Sequence, residues 1–320
     1  MRLTRFIAWM FTAGLMVLGA DVVSGQTYPN KPIRIMATQP GGLTDIVARL
    51  IAPGLTVNLG QQIVVDNRGA LIAVEIAAKA PPDGYTLLVN GSAFWLLPLL
   101  RDNVSWDPVR DFAPITLAVR SPSVLVVHPS VPVKSVADLI ALAKARPGAL
   151  NYAAGTIGAT PHLAAELFKA MAGVNMVRVG YKGTGPAVNA LIAGEVQISF
   201  PNAGSVMPHV KSGRLKALAV CSAQPSDLAP GLPTVAATGL PGYESVSPQG
   251  IWAPARTPAA LVNRLNAEIL RVMRTPEVKE RLFNTGLEVV GNTPQEFAVA
   301  IKSDVARMGK VIKEVGIREE

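Results

Sequence analysis

Two short stretches of this sequence combine glycines with hydroxyl, acid or imidazole side chains where a strand hands over to a helix. The first, Gln39-Pro40-Gly41-Gly42-Leu43-Thr44-Asp45, lies between the apolar run 33–38 and a helical run at 44–57. The second, Ala154-Gly155-Thr156-Ile157-Gly158-Ala159-Thr160, follows a strand-like run at 150–154 and leads into a helix at 161–171, with His162 at its edge. Glycine lets a ligand approach the main chain, and the first N–H groups of the next helix have no partner inside it. Such a terminus carries partial positive charge and favours a carboxylate or phosphate by ~0.3–1 kcal/mol. The chemistry implied is non-covalent capture of a small anion. One turn of this kind is ordinary close packing in an α/β fold. Two are a stronger signal, because ligands of open sheets gather at the carboxyl ends of strands.

The remaining polar residues sort more narrowly. Asp45, in the first turn of its helix, either complements the positive helix end or accepts hydrogen bonds from a ligand. Tyr181-Lys182-Gly183-Thr184-Gly185 ends another strand, but Val188 stands where a third dinucleotide-binding glycine belongs, so nucleotide binding is rejected. Asn202, after the strand at 196–200, is a pocket amide or a helix cap. Phe94 and Trp95 line a cleft or fill the core. The three histidines, His128, His162 and His209, lack metal-ligand spacing, and the sequence has neither a Gly-x-Ser-x-Gly elbow nor a phosphate-loop lysine. No catalytic residue, metal or cofactor is therefore assigned.

These residues need elements to hold them, and the hydrophobic pattern supplies an α/β order. Strands are expected at 33–38, 63–67, 85–90 and 111–119, then at 123–129, 150–154, 176–181, 196–200 and 215–220. Helical runs separate them at 44–57, 71–80, 135–145, 161–171, 186–193 and 203–211, which predicts mostly parallel sheets flanked by helices. Three helices near 258–273, 276–285 and 294–315 close the chain. Thr257, Thr275 and Thr293 each precede a proline as expected N-caps, and Ser135/Asp138 and Thr293/Glu296 read as capping boxes. The Pro/Gly-rich run 225–248 reads as a connection back towards the first domain.

Arg2 and Arg5 precede an apolar run from Phe6 to Ala20, and Val23-Ser24-Gly25 supplies small residues, the pattern of a secretory signal cleaved between Gly25 and Gln26. The run is shorter than the ~20 residues a membrane span needs. What remains is long enough for two domains. The formal charge of +8 comes from scattered Lys and Arg that never interleave with aromatics, which argues against nucleic acid. Cys221 is the single cysteine, so the exported fold has no internal disulfide.

Taken in order, YPNKPIRIMATQPGGLTD, WDPVRDFAPIT, VHPSVPVKSVADLIALAKARPGALNYA, PHLAAELFKAMAG, YKGTGPAVNALIAGEVQISF and LPTVAATGLPGYE resemble the Bug receptors. These are the periplasmic solute-binding components of tripartite tricarboxylate transporters. The resemblance implies a two-lobed type II periplasmic binding fold that closes on a small carboxylate and delivers it to the membrane subunits of such a transporter. Lobe 1 would comprise 26–121 and 250–320 and lobe 2 122–249, with hinges near 119–124 and 246–253, after a signal peptide at 1–25. It also implies a periplasmic, non-enzymatic monomer. Gly41, Gly42, Thr44 and Asp45 in one turn, and Gly155, Thr156, Gly158, Ala159, Thr160 and His162 in the other, would hold the ligand, with Ser92, Tyr181, Lys182 and Asn202 around the cleft. A ligand sensor for a membrane-bound two-component kinase is the alternative use of the same fold, and an exported α/β hydrolase a lesser one. Leu43, Ala154, Ile157, the run 69–74 and Phe94-Trp95-Leu96-Leu97 are more apolar than the family pattern. They imply a monocarboxylate or aromatic carboxylate with an apolar body in place of a ligand such as citrate.

Overall fold

The run Ile33-Arg34-Ile35-Met36-Ala37 is buried at every position except Arg34, and it forms β1 (Ile33–Ala37) inside a six-stranded sheet. β1 pairs in parallel with β2 (Ile63–Asn67) on one side and β3 (Thr86–Gly91) on the other. The structure is a computed structural model and describes residues 28–155 and 157–318. The expected signal peptide with its cleavage point, and Thr156, lie outside the described residues.

The sheet continues through β10 (Val246–Pro254), β4 (Phe112–Pro122) and β11 (Glu288–Val289), in the order β11-β4-β10-β3-β1-β2. A second sheet, β7-β6-β8-β5-β9, is built from β5 (Val124–Val127), β6 (Asn151–Ala154), β7 (Val177–Gly180), β8 (Ile198–Ser199) and β9 (Lys216–Val220). Both sheets belong to one compact unit, Lys31–Glu320. The chain passes from the first sheet to the second at Ser123 and returns at Ser245. These crossings are tied together, because Ser123 N–H donates to the Ser245 carbonyl and Ser245 N–H to that of Cys221, whose own N–H donates to Ser123.

The α/β class is as the sequence implies, but both sheets are mixed where strand–helix alternation predicts mostly parallel ones. β10 runs antiparallel to β3 and β4, β11 to β4, and β5 to β8 and β9. In the first sheet the main cause is β10, which enters between β3 and β4 from the far end of the chain, and in the second it is β5, which runs against both its neighbours. Pro248, Gly250 and Pro254 hide β10, since each is a residue that ordinarily signals the absence of a strand. Gly250 is required there: a Cβ would stand 2.1 Å from the Phe297 ring.

Helices cover the sheets. α1 (Leu43–Leu59), α2 (Ala70–Lys79) and α3 (Ser92–Leu100) follow β1, β2 and β3. α4 (Val136–Ala145), α5 (Thr160–Ala172), α6 (Thr184–Ala193) and α7 (Ala203–Lys211) belong to the second sheet, and α8 (Ala259–Met273), α9 (Pro276–Asn284) and α10 (Pro294–Val315) close the chain. Phe94 and Trp95 of α3 enter an aromatic core with Trp252 and Phe297, the Phe94–Trp252 centroids 5.0 Å and the Trp252–Phe297 centroids 4.7 Å apart. Thr293 and Glu296 form the expected reciprocal capping box. Ser135 accepts from Asp138 N–H, while the Asp138 carboxylate reaches past it to Lys134 N–H at 2.9 Å. Two expected caps are corrected. Pro258 takes the N-cap position of α8, and Thr257 donates backwards to the Pro254 carbonyl. Thr275 is the N-cap of α9, but its hydroxyl donates to Val272.

Candidate functional site

The turn after β1 is organised by its own side chains. Gly41 has φ +76°, a left-handed conformation that favours glycine, and its N–H donates to Asp45 Oδ2 at 2.9 Å. Asp45 is 4% exposed, and its Oδ1 accepts from Arg49 Nε at 2.7 Å and Asn67 Nδ2 at 2.9 Å. Burial alone would raise this carboxyl. The hydrogen bonds from Gly41, Asn67 and Arg49 outweigh it and hold the group below the usual carboxylate range. Gly42 N–H returns to the Gln39 carbonyl, and the Thr44 hydroxyl lies 2.6 Å from that of Thr38 while accepting the Thr38 N–H. The named side chains and both glycine amides are therefore spent on the turn. The unspent donors are the N–H groups of Leu43, Thr44 and Asp45 at the start of α1, which have no partner among the described residues.

The turn after β6 repeats the device with different chemistry. Gly158 also has φ +76°, and its N–H donates to His162 Nδ1 at 3.1 Å, four residues on, as Gly41 does to Asp45. Accepting at Nδ1 requires a neutral ring with its proton on Nε2. Burial, and then the Arg178 charge, push His162 down to about 4, so the ring is neutral at pH 7. Arg178 Nη2 donates to the Gly155 carbonyl at 2.8 Å and braces the turn from behind. Gly155 must be small for another reason: a Cβ there would stand 3.1 Å from the Gly183 main chain. The amides of Ala159 and Thr160 at the start of α5 have no partner among the described residues.

The outlying residues fall in separate places. Ser92 and Thr160 line one narrow gap of about 20 Å³ with Asp304 and Arg307, so the starts of α3 and α5 face the same space beside α10. Tyr181 N–H donates to the Ala154 carbonyl, which keeps its loop against the second turn, while Lys182 is exposed. Asn202 is the N-cap residue of α7 but makes no side-chain cap, and its buried Oδ1 accepts from none of the described residues. Cys221 is buried and free, with burial pushing its thiol up to about 12, which leaves no thiolate at neutral pH.

A cavity of about 320 Å³ opens beside the second turn, where Ile157, Gly158 and Ala159 face α2, the end of β3 and α3. That volume is at the lower end of small-ligand pockets. Two of its lining residues, Asn90 and Trp106, were not singled out by sequence reasoning. Asn90 ends a strand, a position at which ligands collect, so it was within reach. Trp106 sits in the connection after α3 and carries no local signal.

Residues 47–317 match the family described as tripartite tricarboxylate transporter family receptor. The chain is 34% identical to protein BugT of Bordetella pertussis over 331 aligned positions, covering 99% of each chain. Among solved structures it is similar to R. palustris Rpa4515 with adipate, at 36% identity and TM-score 0.78, covering 91% of this chain and 99% of the other. It is also similar to MatC of Rhodopseudomonas palustris with bound malate, at 28% identity and TM-score 0.73, covering 89% of this chain and all of the other.

Proposed function

The chain belongs to the family of tripartite tricarboxylate transporter receptors, and on that footing we propose that it is a periplasmic receptor that captures a small carboxylate for a tripartite transporter. One observation carries the reading. Two βα turns, one in each sheet, each spend the amide of a left-handed glycine, Gly41 or Gly158, on their own side chain and leave helix-start amides, at α1 and at α5, with no partner among the described residues. Unpaired N–H groups at a helix start suit a carboxylate. Adipate in Rpa4515 and malate in MatC are ligands of that chemistry.

The two sheets act as the cores of two lobes, 26–121 with 250–320, and 122–249. The paired crossings at Ser123 and Ser245 serve as the hinge, and closure brings each lobe's helix start to the same ligand. The ligand leaves unchanged: His162, the side chain best placed for proton transfer, is committed to Gly158 in its neutral form. The first 25 residues direct export and are removed.

Isothermal titration of the purified protein with a panel of mono-, di- and tricarboxylates tests this, with the corresponding carboxamides as controls. Saturable binding of at least one acid and none of its amide is the expected result. Equal binding of acid and amide, or heat from no carboxylate, overturns the reading.

A further inference from the structure

We propose that a seam on the far side of the hinge, where Ser226 meets Glu288 and Gly204 meets Gly286, counterbalances the ligand cleft and sets how readily the two lobes close. This rests on the two-lobe reading and adds the residues that govern its closure. Strand order places the seam. In the first sheet, β11-β4-β10-β3-β1-β2, the crossings meet the end of β4 and the start of β10. The first turn, after β1, and the strand β11 therefore lie on opposite sides of the hinge. In the second sheet, β7-β6-β8-β5-β9, the chain enters at β5. The second turn, after β6, lies to one side of that entry and the segment after β9 to the other. Lobes that rotate about a central crossing close on one side by parting on the other.

Across the seam the lobes are tied and in close contact. The Ser226 hydroxyl, in the connection after β9, is 7% exposed and donates to Glu288 Oε1 on β11. Glu288 Oε2 accepts from Arg120 Nε at 2.9 Å, and the two residues are paired across β11 and β4. The carboxylate is thus fixed on its own lobe while it holds the other. Beside this tie, main chain meets main chain. A Cβ on Gly204 of α7 would stand 2.9 Å from the Thr285 carbonyl oxygen, and one on Gly286 2.6 Å from Gly204 Cα. Gly204, Asp227 and Gly286 border one cavity of about 310 Å³, so the tie and the close contact belong to the same seam. Gly286 has φ +81°, but Gly204 lies in a helix, where glycine is the weaker choice. At Gly204 the seam, not the backbone, excludes a side chain.

These contacts favour the parted cleft. A ligand that needs the closed form binds in proportion to the fraction of receptor that reaches it. Gly204→Ala wedges the seam open, and Ser226→Ala removes the tie. Both changes shift the lobes towards closure without touching the ligand turns.

Electron–electron distance measurements between spin labels at Ile72→Cys and Asn189→Cys test this on the intact chain. Both positions are exposed, on the helices that follow the cleft-side edge strands β2 and β7. Cys221 is buried, so the labels go to the introduced thiols. In ligand-free protein, each variant is expected to populate the shorter separation more than the same labelled protein with Gly204 and Ser226 intact. Calorimetry with adipate and malate is expected to show about threefold to tenfold tighter binding in both variants. Distances that are unchanged or longer in both variants overturn the proposal and leave the receptor reading intact. Shorter distances with unchanged affinity for an acid that binds overturn it too. A separation that a bound acid does not alter removes lobe closure, and the proposal falls with that reading. If neither acid binds, the ligand-free distances decide the proposal, and the wider panel of acids and amides decides the receptor reading.

Discussion

Gly158 donates its N–H to Nδ1 of His162 at 3.1 Å, so a main-chain turn depends on an imidazole staying neutral. The folded-state value of about 4 lies below the ordinary 6.5, so between these values the unfolded chain binds more protons than the folded one. The stabilisation is therefore complete above pH 6.5 and is lost as pH falls towards 4, about 3 kcal/mol in all. His162→Asn, whose Oδ1 takes the place of Nδ1 but does not titrate, is expected to be less acid-sensitive than wild type by about that amount. Urea unfolding of both proteins at pH 7 and pH 4 measures the difference. Equal losses would show that another group carries the acid sensitivity.

Asp45 plays the corresponding part in the first turn, as a charge rather than a neutral acceptor. Asp45→Ala strips Gly41, Asn67 and Arg49 of their shared acceptor and is expected to cost about 2–3 kcal/mol. Arg49→Ala is expected to cost less than about 1 kcal/mol, because that side chain is 56% exposed. Because the Asp45 carboxyl is held below its ordinary range, its contribution persists through mild acid and fades only as pH falls through the lowered value. Denaturant midpoints for the two variants check the ranking, and a costlier Arg49→Ala would reverse it.

Leu43→Pro separates the free amides from the rest of the turn. Proline is tolerated at the first position of a helix, and Gly42 at φ −76°, ψ 166° has the extended conformation that a residue before proline adopts. The substitution removes one N–H with no partner among the described residues. Stability is expected to stay within ~0.5 kcal/mol while carboxylate affinity falls about tenfold. A folded variant with undiminished affinity would exclude the Leu43 amide from the ligand site.

Gly158 is also pinned from outside its turn. A Cβ there would come within 2.4 Å of Leu100 Cδ1, on top of the strain of its positive φ. Gly158→Ala is expected to cost about 2–4 kcal/mol, part backbone strain and part collision. In a Leu100→Ala background the collision is gone, and the same change should cost at least about 1 kcal/mol less. A double-mutant cycle by chemical denaturation reads this coupling, and strict additivity would mean that the α3 contact does not constrain the turn.

Much of the scaffold was legible in the sequence because its signals are local. Gly41 and Gly158 stand where a positive φ leaves little choice of residue, and Thr293 with Glu296 announces α10 at fixed spacing. What escaped depends on distant parts of the chain. β10 becomes a strand despite Pro248 and Gly250 because β3 and β4 clasp it from both sides. Asp45 and His162 were visible as polar residues at helix starts, yet each spends its acceptor on a glycine four residues back. Trp106 joins the cavity wall through tertiary packing that no spacing rule encodes.

The two self-braced turns have a thermodynamic consequence. Their left-handed glycines, Gly41 and Gly158, are each fixed by a side chain four residues on, so these two positions need no ordering when an acid arrives. The entropy lost on binding then falls mainly on the ligand and on any closure of the sheets about Ser123 and Ser245. The heat-capacity change of binding then reports the apolar surface hidden by the acid together with that hidden by any closure of the sheets.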